Sequence, residues 1–316
     1  MRDRALLLHL GLLTLLLGAH WLLPAYHHDA VAKVLVLSVY AMGYNIAFGY
    51  TGMLSLGHAL FFAAGLYGAA MPLTLWGWAG APALGAGLAA GAVMAAAVGL
   101  LALRTRGVSF MIVTLMFAQA GYLTILYLGR WTRGDEGIVI AQPLRRIAGY
   151  DLSDGATRYL AALVLFALGL LACLRLVRSP FGRVIVAMRE NEERARMLGY
   201  NPFTVKLAAL TVSGLYSGAA GAAYALMFGY AGASLAGVQY SILPMLWVLL
   251  GGAGTVAGPF IGCLLMFYLI DYASVLTSAT LLVVGVALVV LVLFAPKGAL
   301  GALRDRLGKE GRTWLP

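Results

Sequence analysis

The chain has 316 residues, 62% of them hydrophobic and 11% charged, with a formal net charge of +10 and a mean hydropathy of +0.90. Soluble domains carry roughly 25% charged residues, so this composition excludes a soluble enzyme or nucleic-acid-binding module and requires an integral membrane protein. Cys173 and Cys263 both fall inside apolar stretches, without metal-ligand spacing.

A helix needs about 20 apolar residues to cross the hydrocarbon core, and intervals free of Asp, Glu, Lys and Arg locate the candidates. Residues 5–23 form a first span, read as an uncleaved helix because no small-residue cleavage site precedes Pro24. The charge-free interval 34–103 holds about three spans, 107–129 one, 159–174 one, 207–270 about three and 272–296 one. The expected fold class is therefore an all-α integral membrane protein of about ten transmembrane helices, one transmembrane domain over 1–316. Glycine spacings at Gly87 and Gly91, at Gly214 and Gly218, and at Gly254, Gly258 and Gly262 stack small residues on one helix face and predict close internal packing.

Two glycine-rich stretches break the apolar runs, GYTGMLSLGH at 49–58 and LGGAGTVAGP at 250–259. Two readings stand. They are tight turns whose backbone demands glycine, or interrupted helices that line a pathway, since irregular backbone at membrane depth must be buried or face a watery cavity. Polar residues beside the first break favour the pathway, whose candidates are Asn45, Gly49, Thr51, Gly52, Ser55 and His58 with Gly251, Gly252, Gly254 and Gly258. His58 has no second ligand at helical spacing, so no metal site is expected. Asp271 is the one acid within a span and reads as an interfacial residue.

Charge assigns the sides. With the N-terminus cytoplasmic, segments 1–4, 104–107, 175–206 and 296–316 hold sixteen of the 22 Lys and Arg, the asymmetry of the positive-inside rule. An even number of spans then places both termini in the cytoplasm, and the net charge is a topology signal rather than a nucleic-acid footprint. The outer loop 129–157 carries both signs, including Arg133, Asp135 and Glu136. It is either a solvated loop or a surface that docks a charged partner.

The loop 178–206 concentrates Arg183, Arg189, Arg194, Arg196 and Lys206 with Glu190, Glu192 and Glu193. Ser179-Pro180 is an N-cap followed by Pro at the first helical position, Gly199 a left-handed stop, and Asn201-Pro202 a second start. The expectation is one short helix with Val184, Met188, Ala195 and Leu198 near one face. Its mixed charges suit insertion into a groove on another protein better than the nearly all-basic face of a lipid-surface helix.

No phosphate-binding loop, HExxH or nucleophile elbow is present, and no set of membrane-embedded acids suggests ion coupling. A transporter of this kind would borrow its ATPase. The competing class is a stand-alone channel or ion-coupled carrier, with Asp271 as its ion-linked residue.

Over residues 30–303 the chain resembles the LivM-type permeases, the membrane subunits of ATP-binding-cassette importers for branched-chain amino acids. The likeness is carried by GYTGMLSLGHALFFAAGLYGAA (49–70), RTRGVSFMIVTLMFAQ (104–119), SPFGRVIVAMRENEERARMLGYNPFTVKLAAL (179–210), LLGGAGTVAGPFIGCLL (249–265) and LFAPKGALG (293–301). The resemblance implies a bacterial inner-membrane permease paired with a second permease subunit, two ATP-binding subunits that hold the ATP and Mg, and a periplasmic solute-binding protein. It implies no cofactor in this chain. It places Arg189, Glu190, Asn191, Glu192 and Gly199, with Arg183 beside them, in the coupling helix that presses into the ATPase. The family's outer TGGxxGL-like element reads Thr132-Arg133-Gly134-Asp135-Glu136-Gly137-Ile138 here, with Arg133 in place of a glycine. The solute, whether branched-chain amino acid, urea or amide, is not specified.

Overall fold

The computed structural model describes residues 2–276, 279, 282–283, 285–286, 289, 293 and 297–306. In chain order its helices are α1 (Arg2–Leu22), α2 (Ala25–Asn45), α3 (His58–Leu75), α4 (Gly80–Ala102), α5 (Val108–Tyr127), the single turn α6 (Gly129–Thr132), α7 (Gly155–Arg178), α8 (Pro180–Glu190), α9 (Glu192–Met197), α10 (Pro202–Phe228), α11 (Val238–Gly251), α12 (Gly258–Leu276) and α13 (Gly298–Arg306). Among the described residues seven helices, α1 to α5, α7 and α12, are long and apolar enough to cross a membrane. The 27-residue α10 adds about 40 Å of helix at 1.5 Å per residue.

The interval 34–103 thus yields α2, α3 and α4, and 207–270 yields α10, α11 and α12, as the charge-free lengths predict. The tenth expected span, 272–296, lies largely outside the described residues. One of the nine is short. α11 has 14 residues because the chain does not turn at the surface after α10. It re-enters the bundle through a two-residue strand, Tyr230–Ala231, and a 3-10 turn over Ala233–Ala236, with Ala231, Ala233 and Ala236 at most 1% exposed.

α2 occupies the centre. It is buried almost throughout from Ala30 onward, whereas α1 and α5 are mostly exposed or half-buried, and it packs on α7, α10, α11 and α12. Contact with α10 is antiparallel: Lys33 lies 5.9 Å above the Tyr224 ring, while a Cβ at Gly43 would sit 2.7 Å from the Ser213 carbonyl. The small-residue spacings serve the interior. Gly65 of α3, Gly87 and Gly91 of α4, and Gly214 and Gly218 of α10 press backbone against backbone, the close approach that dispersion forces reward when no side chain intervenes.

One motif recurs on two antiparallel helices. Tyr-x-x-x-Phe-Gly-Tyr-x-Gly-x-x-x-x-Gly occurs at Tyr44, Phe48, Gly49, Tyr50, Gly52 and Gly57, and again 180 residues later at Tyr224, Phe228, Gly229, Tyr230, Gly232 and Gly237. Each copy ends a long helix, crosses a largely buried irregular segment in which Gly52 and Ser234 are exposed, and caps the next helix with its last glycine. Because α2 and α10 are antiparallel, the two breaks lie at opposite ends of the bundle, the arrangement of an inverted repeat.

At the end far from the charged loop, the 129–157 loop is stitched to the bundle. Its strand β1 (Ile138–Val139) pairs with β4 (Tyr230–Ala231), and β2 (Arg146–Ile147) pairs with β3 (Tyr150–Asp151). Asp154 caps α7 by accepting from the Thr157 amide at 2.9 Å, and Arg158 joins Asp29 at 2.6 Å.

A methyl at Gly65 would strike the Gly218 backbone, so Gly65→Ala is expected to cost about 1–3 kcal/mol of stability by overpacking. Gly11→Ala, where nothing lies within 4 Å, is expected to cost none. Thermal unfolding of the purified protein in detergent compares them, and equal midpoints would contradict the packing account.

Candidate functional site

α2 does not stop at Asn45. A π-turn over Ile46–Tyr50 continues it and then releases the chain. Thr51 donates its hydroxyl to the Ile46 carbonyl at 2.8 Å, and the Met53 amide donates to Ala47 at 2.8 Å, so the break is partly satisfied by its own residues. The fully buried Asn45 then joins it to the second break. Its Nδ2 donates to the Thr255 carbonyl at 2.9 Å and its Oδ1 accepts from the Gly254 amide at 3.0 Å. Gly49 has no room for a side chain: a Cβ would strike Asn45 Oδ1 and come within 2.7 Å of the Gly254 nitrogen. On the other side of the staple, Gly252 (φ 118°) and Gly254 (φ 73°) hold backbone that other residues adopt only under strain.

Arg189, at the end of α8, enters this junction. Its guanidinium donates to the Gly49 carbonyl. Its stem covers Gly52, where a Cβ would lie 3.1 Å from Arg189 Cγ, and its Nη1 is 3.1 Å from the Cβ position of Gly254. Arg304 of α13 reaches the Gly254 carbonyl at 3.4 Å. Both glycine breaks, α8 and α13 therefore meet at one point.

The other candidate pathway residues gather at this end but are engaged inside the bundle. Thr51 is 2% exposed, and Ser55 and His58 are 0%. Ser55 accepts from the Gly57 amide at 3.2 Å. His58 Nε2 lies 2.8 Å from the Ser213 hydroxyl, which donates its own hydrogen to Gly43 at 2.6 Å. The Ser213 hydrogen being committed, His58 is the donor in that pair. Gly251 and Gly258 face each other where α11 and α12 cross, each close to the other's backbone.

The charged loop departs from the expected single helix. It forms two, α8 and α9, and Asn191 separates them with extended backbone (φ −159°, ψ 103°) while its side chain caps α9 by accepting from the Arg194 amide at 2.8 Å. Competition from a short polar side chain for the backbone is the physical reason. The expected starts and stop are present: Ser179 accepts from the Gly182 amide at 3.1 Å, Asn201 from Phe203 at 3.0 Å, and Gly199 has φ 89°. The buried face keeps Met188 and Ala195 of the expected four and adds Gly182 and Ile185 in place of Val184 and Leu198. Leu198 instead projects with Met197 and Tyr200, and these are 71%, 86% and 44% exposed.

Of the six candidate coupling residues, Arg183, Arg189, Glu190, Asn191 and Gly199 are exposed and Glu192 is half-buried; Arg189, Asn191 and Glu192 also make contacts within the chain. Glu192 binds Lys206 at 2.5 Å, with Arg196 at 3.5 Å and Arg106 at 4.0 Å. The Lys206 hydrogen bond leads in holding its pKa below the usual carboxylate value, against a smaller opposing effect of burial. These charges border a groove of about 830 Å³ between Gly52–Leu54, the α4–α5 turn and the start of α10.

At the opposite end Arg133, Asp135 and Glu136 are all exposed on one turn. Arg133 adopts φ 59°, a left-handed conformation that costs other residues roughly 1–2 kcal/mol, which accounts for glycine suiting this position. Asp271 accepts from the Tyr26 hydroxyl at 2.6 Å, tying α12 to the start of α2. The sequence reading missed Arg145. It donates Nε to the Leu226 carbonyl at 2.8 Å and Nη2 to Met227, capping α10 at the second copy of the repeated motif.

The family model described as "Branched-chain amino acid transport system / permease component" matches residues 28–295. The chain is 30% identical over 308 residues to the high-affinity branched-chain amino acid transport system permease protein LivM of Escherichia coli, covering 88% of this chain and 71% of that one. It is 29% identical over 304 residues to LivM of Salmonella typhimurium, with the same coverage. A shorter match, 27% over 149 residues, is to the autoinducer 2 import system permease protein LsrC of Photorhabdus laumondii, covering 45% of this chain and 42% of that one. No solved structure matches the chain.

Asn45→Ala would orphan the Gly254 amide and the Thr255 carbonyl, each worth about 1–3 kcal/mol when buried without a partner. Its expected loss of thermal stability exceeds that of the exposed cap variant Asn201→Ala, at about 1 kcal/mol. Equal losses in detergent melts would contradict the staple.

Proposed function

Because this chain belongs to the branched-chain amino acid transport permease family, we propose that it forms one transmembrane half of an ATP-driven importer for branched-chain amino acids or a related small polar solute. The observation that carries this reading is the junction at Arg189. A charged loop with its own helix starts and stop, ending in exposed Met197, Leu198 and Tyr200, sends one side chain straight into both glycine breaks.

In this reading the 178–206 loop faces the cytoplasm, as does each terminus, and the exposed tip sits in a groove of a partner ATPase. ATP and Mg belong to two such subunits. A second permease subunit completes the membrane domain, and a solute-binding protein delivers the solute at the 129–157 loop. The chain itself performs no chemistry on the solute. Work enters as a difference in affinity of the ATPase for two positions of α8 and α9, because a ligand shifts an equilibrium only by its differential binding. Since Arg189 is bonded to Gly49 and lies over Gly52 and Gly254, a displacement of α8 moves both breaks or leaves the Gly49 carbonyl unpaired.

Reversing Glu190→Lys and breaking the left-handed stop with Gly199→Pro, whose ring cannot adopt φ 89° and has no amide to donate to Arg196, is expected to remove at least about nine-tenths of solute-stimulated ATP hydrolysis in the reconstituted complex, a coupling loss of about 1.4 kcal/mol. Full stimulation by the double variant would sink this assignment of the loop.

A further inference from the structure

The second copy of the repeated motif, like the first, is held from outside by an arginine of a polar loop. Arg145, half-buried at the opposite end of the bundle, bonds the Leu226 and Met227 carbonyls in the last turn of α10. Its guanidinium lies over Gly229, whose Cβ position is 2.9 Å from Nη1 and whose φ is +69°. At the first copy Arg189 bonds the Gly49 carbonyl itself, while the carbonyls matching Leu226 and Met227, those of Ile46 and Ala47, are taken by Thr51 and Met53. Gly49 and Gly229 occupy the same position in the two repeats. In each case an arginine from a long polar loop reaches carbonyls that the helix end cannot satisfy within itself.

The 129–157 loop holds the irregular segment 228–237 by more than Arg145. The Ile140 amide donates to the Gly229 carbonyl at 2.8 Å, and Ile138 and Val139 pair with Ala231 and Tyr230. A Cβ at Gly137 would sit 2.8 Å from the Ala231 carbonyl. The exposed turn with Arg133, Asp135 and Glu136 immediately precedes that contact, and the Thr132 hydroxyl anchors its other side to the Ile125 carbonyl at 2.6 Å. A force on this turn therefore reaches the break through a strand pair, with no slack chain between.

We propose that the 129–157 loop is a second coupling element, and that a soluble protein docked on its turn acts on the break at 228–237 through Arg145, as α8 acts on the break at 48–57 through Arg189. This rests on the importer reading and gives its solute-binding protein a point of action. The occupant is a protein of complementary mixed charge, because the turn presents both signs at once. An anionic lipid surface would select for basic residues alone. Arg145 is a positioning residue: it touches no solute, and it holds the helix end that the docked protein displaces.

The test uses the complete transporter in nanodiscs, with the ATPase rate read in the absence and presence of solute-loaded binding protein. Binding-protein affinity and the thermal midpoint are recorded alongside. Arg145→Lys keeps the charge but loses the planar fork that spans two carbonyls. Its basal rate and affinity are expected to stay within about twofold while stimulation falls about tenfold or more. Undiminished stimulation would overturn the proposal. So would a parallel fall in basal rate and midpoint, which marks Arg145 as a structural cap only, or a fall in affinity, which marks it as a docking contact. A wild-type complex that is not stimulated at all would instead remove the importer reading, and this proposal with it. If Arg145→Lys does not accumulate, hydrogen exchange at residues 226–232 of the wild type decides: protection changes when binding protein is added, and unchanged protection overturns the proposal.

Discussion

Asn45 is a buried amide with two obligations. Its donor is taken by Thr255 and its acceptor by Gly254, so the helix that forms the centre of the bundle is tied to a turn more than 200 residues away. Such a group is costly to bury alone and specific when satisfied. The rest of the junction follows from it. Gly49 must be glycine because a Cβ would collide with the Asn45 side chain, the π-turn lets the chain leave the helix beneath it, and the Gly49 carbonyl left facing outward accepts the Arg189 guanidinium. A polar link between two irregular segments can break and reform as a unit, whereas the glycine-packed faces of α3, α4 and α10 resist sliding because their backbones already touch.

That contrast divides the molecule into a stiff part and two adjustable ends. The antiparallel pair α2 and α10 runs through the middle, and each ends in the same glycine-rich motif at opposite faces. A device that exposes a site alternately to two sides needs breaks at both ends and a separate handle on each. The charged loop lies at one end, with an exposed tip of Met197, Leu198 and Tyr200 and the Glu192 ion pairs bracing its root against α10 and the α4–α5 turn. The 129–157 loop is built differently, from short strands and an arginine cap.

Much of the fold was legible in sequence because membrane crossing is a question of charge-free length, and lipid enforces it. Residues 34–103 and 207–270 each resolve into three helices for that reason. Local start signals were equally readable, since Ser179-Pro180 and Asn201-Pro202 act within three residues of themselves. The break at Asn191 obeys the same capping chemistry, with Glu192 and Glu193 in the first turn of α9, but an apolar face reading through to Leu198 concealed it. What the sequence withheld was long-range. Nothing near Arg189 says that it turns inward to Gly49, and nothing near Asn45 names Gly254 as its partner. α11 fell short of a full span, and the irregular backbone ahead of it, with Ala231, Ala233 and Ala236 buried, is not announced by local hydropathy.

The central claim is that displacement of α8 is felt at both glycine breaks through one junction. Hydrogen exchange in the assembled transporter, with and without a non-hydrolysable ATP analogue, measures this directly. The account predicts that amides at 49–57 and 252–255 change protection together when the analogue binds, while those in the glycine-packed middle of α4 stay constant. A response confined to 180–200, with both breaks unmoved, would contradict it.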